Sequence, residues 1–221
     1  MKKAVCIISG GMDSALAAFI AKKESNEIIA LHFNYGQRTQ KKELECFEKI
    51  ADVLNAKKVV LDTFFIKEIG ASSLTDTSLE VRTSGIEEGV PNTYVPYRNG
   101  IFISIAASLA EKEGAQSLYL GVIEEDSSGY PDCRESFIKK IENAVNDGTK
   151  KETNISICTP LIHMNKEDIV KRALSLGVPL EFTWSCYVRE DKACGVCDSC
   201  RLRLRGFKNA GIKDKIAYIL S

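Results

Sequence analysis

The fold of this chain is decided by a stretch near its start, Ala4-Val5-Cys6-Ile7-Ile8-Ser9-Gly10-Gly11-Met12-Asp13-Ser14. Its first five residues form an apolar run typical of a strand, and residues 13–23 have the composition of a helix. The glycine turn between them lets the backbone approach a ligand closely. Backbone N–H groups converge at the start of the helix, at the positive end of its dipole. The stretch therefore predicts a strand, an anion-binding turn and a helix.

The turn from Ser9 to Ser14 differs from two common phosphate-binding motifs. It lacks the Gly-x4-Gly-Lys-Ser/Thr pattern of a Walker A loop and the Gly-x-Gly-x-x-Gly pattern of a dinucleotide fold. Ser9 and Ser14 can add hydroxyl donors, whereas the Asp13 carboxylate would repel a phosphate. We therefore expect Asp13 to cap backbone groups or to hold a magnesium ion between phosphates. A plain turn that uses glycine for steric reasons is the alternative.

Length and charge exclude several classes of protein. The chain has 221 residues, 44% of them apolar, and 30 Lys+Arg balance 30 Asp+Glu. At about 150 residues per domain, this length permits one large domain, or one with a small appendage. The composition excludes disorder and collagen-like repetition. A formal charge of +0 provides no long-range attraction for nucleic acid, so we expect no nucleic-acid partner.

The apolar segments are too short for secretion or membrane insertion. Residues 4–8 are shorter than the apolar region of a signal peptide, and no run approaches the roughly 18 apolar residues of a membrane span. We therefore expect a cytoplasmic location and no membrane partner. In the reducing cytosol, clustered cysteines favour a metal site over disulfides.

Strand-like and helix-like segments alternate along most of the sequence. The strand-like segments are 4–8, 27–33, 58–61, 117–122 and 155–158. The helix-like segments are 13–23, 41–54, 99–113 and 134–146, followed by one that has Asn165 as N-cap and ends at Gly177. We expect residues 72–97 to form a long loop. We expect the third helix to be largely buried, with a core face formed by Ile101, Ile105 and Leu109.

This alternation predicts an α/β fold with a doubly wound, mainly parallel, Rossmann-like sheet. Helices would cover both faces, and ligands would bind at the carboxyl ends of the strands. The composition changes after residue 183, where a cysteine-rich and then basic tail begins. We therefore expect a nucleotide-binding domain over residues 1–183 and a small helical zinc-binding appendage over residues 184–221.

Four cysteines near the C-terminus have the spacing of metal ligands: Cys186, Cys194, Cys197 and Cys200. The pattern C-x7-C-x2-C-x2-C suits tetrahedral zinc, and four protein ligands would make the site structural because no position remains for water or substrate. An iron–sulfur cluster is the alternative, because ferredoxins also use C-x2-C-x2-C. The other cysteines are scattered and are interpreted as core or incidental residues: Cys6, Cys46, Cys133 and Cys158.

A basic run follows the cysteine cluster and consists of Arg201, Arg203, Arg205, Lys208 and Lys213. Because the whole chain carries balanced charge, we interpret this run first as a solvated face and second as a subunit contact. A nucleic-acid patch ranks third.

Several further residues are candidates for binding. Lys166 lies in the first turn of its helix, where a cation opposes the dipole, so a nearby anion would explain it. Arg98 offers a planar fork for phosphate or carboxylate. A polar segment carries the carboxylate and aromatic groups of a heterocycle pocket at Asp126, Tyr130 and Asp132. Each could instead be an ordinary surface or turn residue, and His32 is interpreted as a satisfied core residue.

The turn from Ser9 to Ser14 resembles the SGGxDS signature of the PP-loop ATP pyrophosphatases, which split ATP into AMP and pyrophosphate. The resemblance implies the fold of the adenine nucleotide alpha-hydrolases. It also implies that the loop grips pyrophosphate while an oxygen of the acceptor attacks the α-phosphorus. Thiolases, amidotransferases and amide ligases all share this signature, so it does not choose among them.

Further blocks resemble one PP-loop family, the 7-cyano-7-deazaguanine synthases of queuosine biosynthesis. In order along the chain, these blocks are FNYGQR at 33–38, VPYRN at 95–99, SGYPDCR at 128–134, TPL at 159–161 with Lys166, and TWSCY at 183–187 before the cysteine cluster. The sequence departs from the family pattern at two positions. Thr39 stands where the family usually has histidine, and Tyr97 stands where it usually has glycine.

The resemblance implies an ATP-dependent carbon–nitrogen ligase that converts 7-carboxy-7-deazaguanine and ammonia into 7-cyano-7-deazaguanine through adenylated intermediates. It implies ATP as co-substrate, structural zinc, magnesium as the counter-ion of pyrophosphate, and a homodimer. The expected contacts to ATP and pyrophosphate are Ile8, Ser9, Gly10, Gly11, Met12, Asp13, Ser14, Ala15, Leu16, Ala17, Ala18, Arg38 and Lys166. The expected contacts to substrate are Arg98, Asp126, Tyr130 and Asp132.

Two other functions stay open at this point. Another PP-loop ATPase, such as a tRNA thiolase, would require RNA affinity and a reactive thiol or cluster, and the balanced charge counts against it. A zinc-dependent scaffold or nucleic-acid-binding module that has lost catalysis is the other alternative. Intact Ser9, Asp13 and Ser14 beside a complete set of four cysteines speak against such a loss.

Overall fold

A computed structural model describes residues 2–85, 89–124 and 129–219, and Asp126 therefore lies outside the described residues. Five strands form one sheet: β1 Lys3–Ile7, β2 Glu27–Asn34, β3 Lys57–Asp62, β4 Ser117–Tyr119 and β5 Ser156–Cys158. The strand order is β3-β2-β1-β4-β5, and every pairing is parallel. The predicted strands and the parallel sheet are confirmed. β4 is shorter than predicted, because residues 120–122 leave the ladder and line a cavity.

Seven α-helices surround the sheet in the described residues: α1 Met12–Glu24, α2 Gln40–Val53, α3 Phe65–Ile69, α4 Arg98–Glu113, α5 Glu135–Gly148, α6 Lys166–Ser175 and α7 Asp198–Asn209. The predicted helices are confirmed. The short helix α3 was not predicted, because five residues are too few to show a helical period. The predicted N-cap of α6 is confirmed, since Asn165 Oδ1 accepts a hydrogen bond of 3.0 Å from the backbone N–H of Asp168.

Two hydrophobic layers cover the two faces of the sheet. One layer packs α1, α2, α6 and α7 together through residues such as Leu16, Phe47 and Phe207. The other packs α4 and α5 through Ile103 and Ile141. Parallel sheets are normally covered on both faces, and the arrangement confirms the predicted doubly wound architecture.

The buried face of α4 differs from the prediction. Ile101, Ile105 and Leu109 are only partly buried and flank the core. The fully packed face consists instead of Phe102, Ile103, Ala106, Ala107 and Ala110. Small alanine side chains let this face lie close to the sheet beside Phe102 and Ile103, so Ile101, Ile105 and Leu109 are left at its margin.

The basic run after the cysteines is not a uniform solvated face. The Arg203 side chain is 1% exposed, and its guanidinium binds both carboxylate oxygens of Asp214, with Nε at 2.6 Å from Oδ2. Arg203 Nη1 also donates to Thr183 Oγ1 at 2.8 Å. The buried arginine therefore connects α7 to Asp214, in the chain after the helix, and to Thr183, next to Trp184. The interpretation as a solvated face is therefore wrong for Arg203. Its acidic partner Asp214 lies beyond the end of α7, so the pattern of the basic run does not reveal the pair.

None of the described helices is long and apolar enough to cross a lipid bilayer.

We expect Gly206→Ala to destabilise the protein, because α7 crosses the start of α6 at this glycine. A Cβ at position 206 would lie 2.8 Å from the Cβ and the carbonyl oxygen of Lys166. Overpacking of this kind costs about 1–3 kcal/mol of unfolding free energy, measurable by urea denaturation. Gly148→Ala at the end of α5 is the matched control, because no described residue outside its own stretch of helix has an atom within 4 Å of the added Cβ. Equal unfolding free energies for the two variants would contradict the close crossing.

Candidate functional site

A cavity of about 280 Å³ lies at the carboxyl ends of β1, β2 and β4. The strand order reverses direction between β1 and β4, and ligands of open parallel sheets bind at such a crevice. The walls come from the β1–α1 turn, the end of β2, the first turns of α2, α4 and α6, and the segment around the four cysteines. The fold thus brings together residues that are far apart in the sequence.

The turn from Ser9 to Ser14 is fixed by its own hydroxyl groups. The backbone N–H of Ser9 donates to Ser14 Oγ at 3.2 Å, and the Ser14 hydroxyl donates to the carbonyl oxygen of Gly11 at 3.0 Å. Gly11 is the N-cap of α1, and no side chain caps this helix. The N–H groups of the first helical turn are therefore available to an anion.

Two glycines allow the turn to lie against its neighbours. Gly10 has a φ of +89°, and a Cβ there would lie 2.5 Å from the carbonyl oxygen of Glu43. A Cβ on Gly121, just beyond β4, would lie 2.5 Å from the backbone nitrogen of Ser14. The backbone N–H of Trp184 donates to the carbonyl oxygen of Gly10 at 2.9 Å. The turn is held between α2, the end of β4 and the cysteine segment.

The side chains after the turn form the core face of α1 rather than the cavity wall. Ile8 and Met12 line the cavity. In contrast, four side chains expected to contact ATP are 0–1% exposed and pack in the core: Ala15, Leu16, Ala17 and Ala18. These four side chains pack in the hydrophobic core, and this packing fixes the position of the start of α1.

Asp13 and Lys166 form an ion pair between the first turns of α1 and α6. Lys166 Nζ lies 2.6 Å from Asp13 Oδ2, and the lysine is 8% exposed. The anion expected near Lys166 is therefore Asp13. The sequence analysis expected Asp13 to cap backbone groups or to hold magnesium, and it did not predict this ion pair. Asp13 Oδ1 is buried, and no hydrogen bond to it is found among the described residues. This second carboxylate oxygen is suited to a cation.

Arg38 lies at the cavity and fixes the loop that follows α3. Its Nε donates to the carbonyl oxygen of Ser73 at 2.6 Å, and its Nη2 donates to the carbonyl oxygens of Asp76, at 2.8 Å, and Leu79. Two of its three nitrogens are therefore committed to backbone oxygens. A phosphate contact by Arg38 stays a prediction.

Arg98 is held by aromatic side chains in the cavity wall. Its Nη1 donates to the hydroxyl of Tyr35 at 3.2 Å, and its guanidinium lies 5.6 Å and 6.0 Å from the ring centres of Tyr35 and Phe102. No carboxylate lies within 4.0 Å of the guanidinium among residues 2–85, 89–124 and 129–219. The cation is therefore suited to an anionic ligand.

Tyr130 and Asp132 occupy different places around the same wall. Tyr130 lines the cavity, and its hydroxyl lies 2.8 Å from the hydroxyl of Thr93. Asp132 Oδ2 accepts a hydrogen bond of 2.8 Å from the backbone N–H of Asn99 in the first turn of α4. Burial raises the pKa of Asp132. Its observed role is to bind the start of α4, next to Arg98.

His32 and Cys133 are buried residues that also line the cavity. His32 Nδ1 lies 2.8 Å from the carbonyl oxygen of Ile8, and burial lowers the pKa of His32. The expected burial of His32 is confirmed, but the residue is not fully satisfied, because no hydrogen-bond partner of Nε2 is found among the described residues. Burial raises the pKa of Cys133 to about 12, so the residue is a neutral thiol at physiological pH.

Glu43 is a cavity residue that the sequence interpretation missed. In the first turn of α2, its Oε1 accepts from the Thr39 hydroxyl at 2.7 Å and its Oε2 accepts from Gln37 Nε2 at 3.2 Å. Burial raises the pKa of Glu43 to about 6, and the two hydrogen bonds oppose this rise. Nothing in the sequence separates Glu43 from the exposed Glu45 on the same helix.

The expected metal ligands converge. Their four sulfur atoms lie within 4.8 Å of one another, and all four residues are buried: Cys186, Cys194, Cys197 and Cys200. The backbone N–H groups of Val188, Arg189 and Cys194 each donate to Cys186 Sγ at 3.4 Å. Contacts with two neighbouring thiols, together with these donors, hold the pKa of Cys186 well below its ordinary value. A thiolate surrounded by three more sulfur atoms fits a metal ion with four sulfur ligands.

The sequence matches a known family over most of its length. The family model described as "Queuosine biosynthesis protein QueC" matches residues 3–211. This chain belongs to the QueC family. The QueC chain is 66% identical over 216 residues to the 7-cyano-7-deazaguanine synthase of a Nitratiruptor species, with 98% of each chain covered. It is 67% identical over 218 residues to the enzyme of the same name from a Sulfurovum species, again with 98% of each covered. The family predicted from the sequence blocks is confirmed.

Two solved structures share the fold of this QueC protein. A 4-thiouridine synthetase in complex with RNA and ATP is 20% identical with a TM-score of 0.54, and the match covers 95% of this chain but 50% of that one. A predicted subunit of tRNA methyltransferase from Methanocaldococcus jannaschii is 19% identical with a TM-score of 0.51, and 97% and 91% of the two chains are covered. At these identities the likeness concerns the fold alone.

The two departures from the QueC pattern have local explanations. Thr39 is buried and binds Glu43 at the start of α2. Tyr97 has a φ of +54°, a conformation that favours glycine, and its ring covers Gly100 and packs edge-on against Phe137. This chain therefore adopts a left-handed turn before α4 without a glycine.

We expect the purified protein to contain one zinc ion per chain and to be colourless. Cys200→Ser should lose the metal, because one of four converging sulfur ligands is replaced by a poorer ligand. Cys158→Ser is the control, since Cys158 lies in β5 outside the cluster. Metal analysis checks both variants, and a brown protein containing iron would contradict zinc.

Proposed function

We propose that this QueC protein is a 7-cyano-7-deazaguanine synthase. It would convert 7-carboxy-7-deazaguanine, ammonia and ATP into the nitrile, AMP and pyrophosphate, for queuosine biosynthesis. Two relatives of that name, 66% and 67% identical, support the assignment. The structural observation that carries it is an uncapped helix start beside the partly buried ion pair of Lys166 and Asp13, in one cavity with Arg98.

The proposed reaction explains why ATP is needed. A carboxylate accepts ammonia poorly, because its carbonyl carbon is electron-rich and oxide is a very poor leaving group. Attack of the carboxylate oxygen on the α-phosphorus forms an acyl-adenylate and releases pyrophosphate. Charge then develops on the leaving pyrophosphate, where the N–H groups after Gly10 and the ammonium of Lys166 can stabilise it.

Ammonia would displace AMP from the acyl-adenylate and give an amide. The amide oxygen would then be adenylated by a second ATP, and loss of AMP would give the nitrile. One cavity can serve both rounds if the ring stays bound while the nucleotide exchanges.

The residues around Asp13 also fit a magnesium ion. Its Oδ1 is buried, and within the described part of the chain no donor reaches it, while Oδ2 binds Lys166. Carboxylate oxygens are preferred ligands of this cation. Asp13 would hold magnesium at the pyrophosphate, where the ion supplies positive charge.

We assign the substrate carboxylate to Arg98, which has no carboxylate within 4.0 Å in the described segments, although Asp132 acts on it at longer range. Tyr130 would contact the deazaguanine ring from the same wall of the cavity. Asp132 would position Arg98 by binding the start of α4 at Asn99. Asp126 stays a proposed contact outside the described residues. For Arg38 we propose a phosphate contact through Nη1, because Nε and Nη2 hold the loop.

We propose structural zinc bound by Cys186, Cys194, Cys197 and Cys200. The segment 184–221 would then be an appendage that completes the cavity of the domain formed by residues 1–183. Tyr187, Ser199 and Leu202 line the cavity from this segment. Removal of the metal would therefore disturb substrate binding as well as the tail.

We also propose a cytoplasmic homodimer that takes ammonia from solution. The family resemblance supports a dimer, and Val60, Phe64 and Phe65 offer exposed apolar area beside the edge strand β3.

A product assay tests the proposed function. Purified protein incubated with ATP, magnesium, 7-carboxy-7-deazaguanine and ammonium should yield AMP, pyrophosphate and 7-cyano-7-deazaguanine, identified by mass spectrometry. Two AMP should form for each nitrile. Formation of ADP, or of no deazaguanine product, would contradict the proposal.

Lys166→Ala should lower the rate of AMP formation at least about 100-fold, the size expected when a donor to developing charge is removed. The control is Lys171→Ala on the same helix, which removes an exposed lysine paired with Glu167. Both variants should retain their zinc. An unchanged turnover of Lys166→Ala would remove the assigned role of this lysine.

A further inference from the structure

Each round of the proposed reaction releases protons from nitrogen, and the base assigned below rests on that proposed function. When ammonia attacks the acyl-adenylate, a C–N bond forms and the nitrogen becomes positively charged. One N–H proton must leave, and AMP departs with the electrons of the C–O bond. In the second round, both hydrogens of the amide nitrogen leave as protons. A positioned proton acceptor at the reacting nitrogen would accelerate these steps.

The carboxylate of Glu43 is held in the cavity by two neutral donors. The Thr39 hydroxyl donates to Oε1, and Gln37 Nε2 donates to Oε2. Gln37 is fixed in turn, because its Oε1 accepts from the backbone N–H of Tyr35 at 2.9 Å. Each carboxylate oxygen has two acceptor positions, so one on each oxygen remains for a ligand.

No lysine or arginine nitrogen lies within 4.0 Å of this carboxylate in the segments that the structure describes. Arg98, from α4, acts on it at longer range and lowers its pKa, whereas Glu190, from the cysteine segment, raises it. Tyr35 faces it from the end of β2. A partly buried charge without a close cation is costly, so the arrangement favours proton uptake by Glu43.

The other titratable groups of the cavity are less suited to accept a proton. Asp13 is paired with Lys166 at 2.6 Å. Cys133 is a neutral thiol, because burial raises its pKa to about 12. His32 has Nδ1 bound to a carbonyl oxygen, and no partner of its Nε2 is found among the described residues. Burial lowers the pKa of His32 and raises that of Glu43, so burial opposes proton uptake by His32 and favours it at Glu43.

We propose that Glu43 is the general base that takes the proton from the attacking ammonia and from the amide nitrogen. In the first round the proton passes from nitrogen to a carboxylate oxygen of Glu43 as the C–O bond to AMP breaks. In the second round Glu43 takes one proton from the amide nitrogen as the amide oxygen displaces pyrophosphate from the α-phosphorus. It takes a second proton from the adenylated imidate as the C–O bond to AMP breaks and the nitrile forms. Between these steps the protonated carboxyl returns its proton to solvent.

The test separates adenylation from the ammonia step in Glu43→Gln. Adenylation is measured as the first turnover of pyrophosphate with ATP and 7-carboxy-7-deazaguanine in the absence of ammonium. The ammonia step is measured as amide formation after ammonium is added. The rate of adenylation should stay within about threefold of the wild-type rate, and the KM of the deazaguanine substrate should be unchanged. The rate of amide formation should fall at least about 100-fold. Glu45→Gln, on the exposed side of α2, should leave both steps unchanged.

The pH profile provides an independent readout. At constant free ammonia, the wild-type ammonia step should slow below pH about 6, where Glu43 becomes protonated, and Glu43→Gln should lack this limb. Equal losses in both steps would show a structural role, and a raised substrate KM in adenylation would show a binding role. Either result overturns the proposal. Absence of any nitrile from the wild-type enzyme would instead refute the proposed function.

Discussion

The ion pair between Asp13 and Lys166 is the interaction on which the site depends. It joins the first turns of α1 and α6, which belong to widely separated parts of the sequence. Lys166 opposes the dipole of its own helix, and the carboxylate of Asp13 offsets this cost. The pair places an ammonium beside the uncapped start of α1 and leaves Asp13 Oδ1 for a cation. Gly206 in α7 also makes this arrangement possible. Only a residue without Cβ lets α7 pass this close to the backbone of Lys166.

The cysteine segment is tied to the same turn by ordinary hydrogen bonds. Trp184 donates to Gly10, and two residues later Cys186 begins the cluster. The buried Arg203 binds Asp214 and Thr183 and so fixes both ends of the segment. These contacts connect the four cysteines to the turn from Ser9 to Ser14 through few residues. A structural metal in this position would act on the cavity without touching the reacting atoms.

The strands, the turn and the cysteine ligands could be predicted because each rests on a local pattern. The contacts that define the cavity could not. Glu43 and Glu45 look alike in the sequence, and only the packing of α2 against Gly10 decides which one enters the cavity. Arg203 belongs to a basic run, yet burial beside Asp214 makes it a core residue. Both depend on tertiary packing, which periodicity and composition do not encode.

The central claim is that the turn at Gly10 and Lys166 receive the two terminal phosphates of ATP. A crystal structure with magnesium and a non-hydrolysable α,β-methylene analogue of ATP tests it most directly. The β- and γ-phosphates should accept hydrogen bonds from the first N–H groups of α1 and lie against Lys166 Nζ, with the cation on Asp13 Oδ1. A triphosphate bound elsewhere, with this turn empty, would contradict the account.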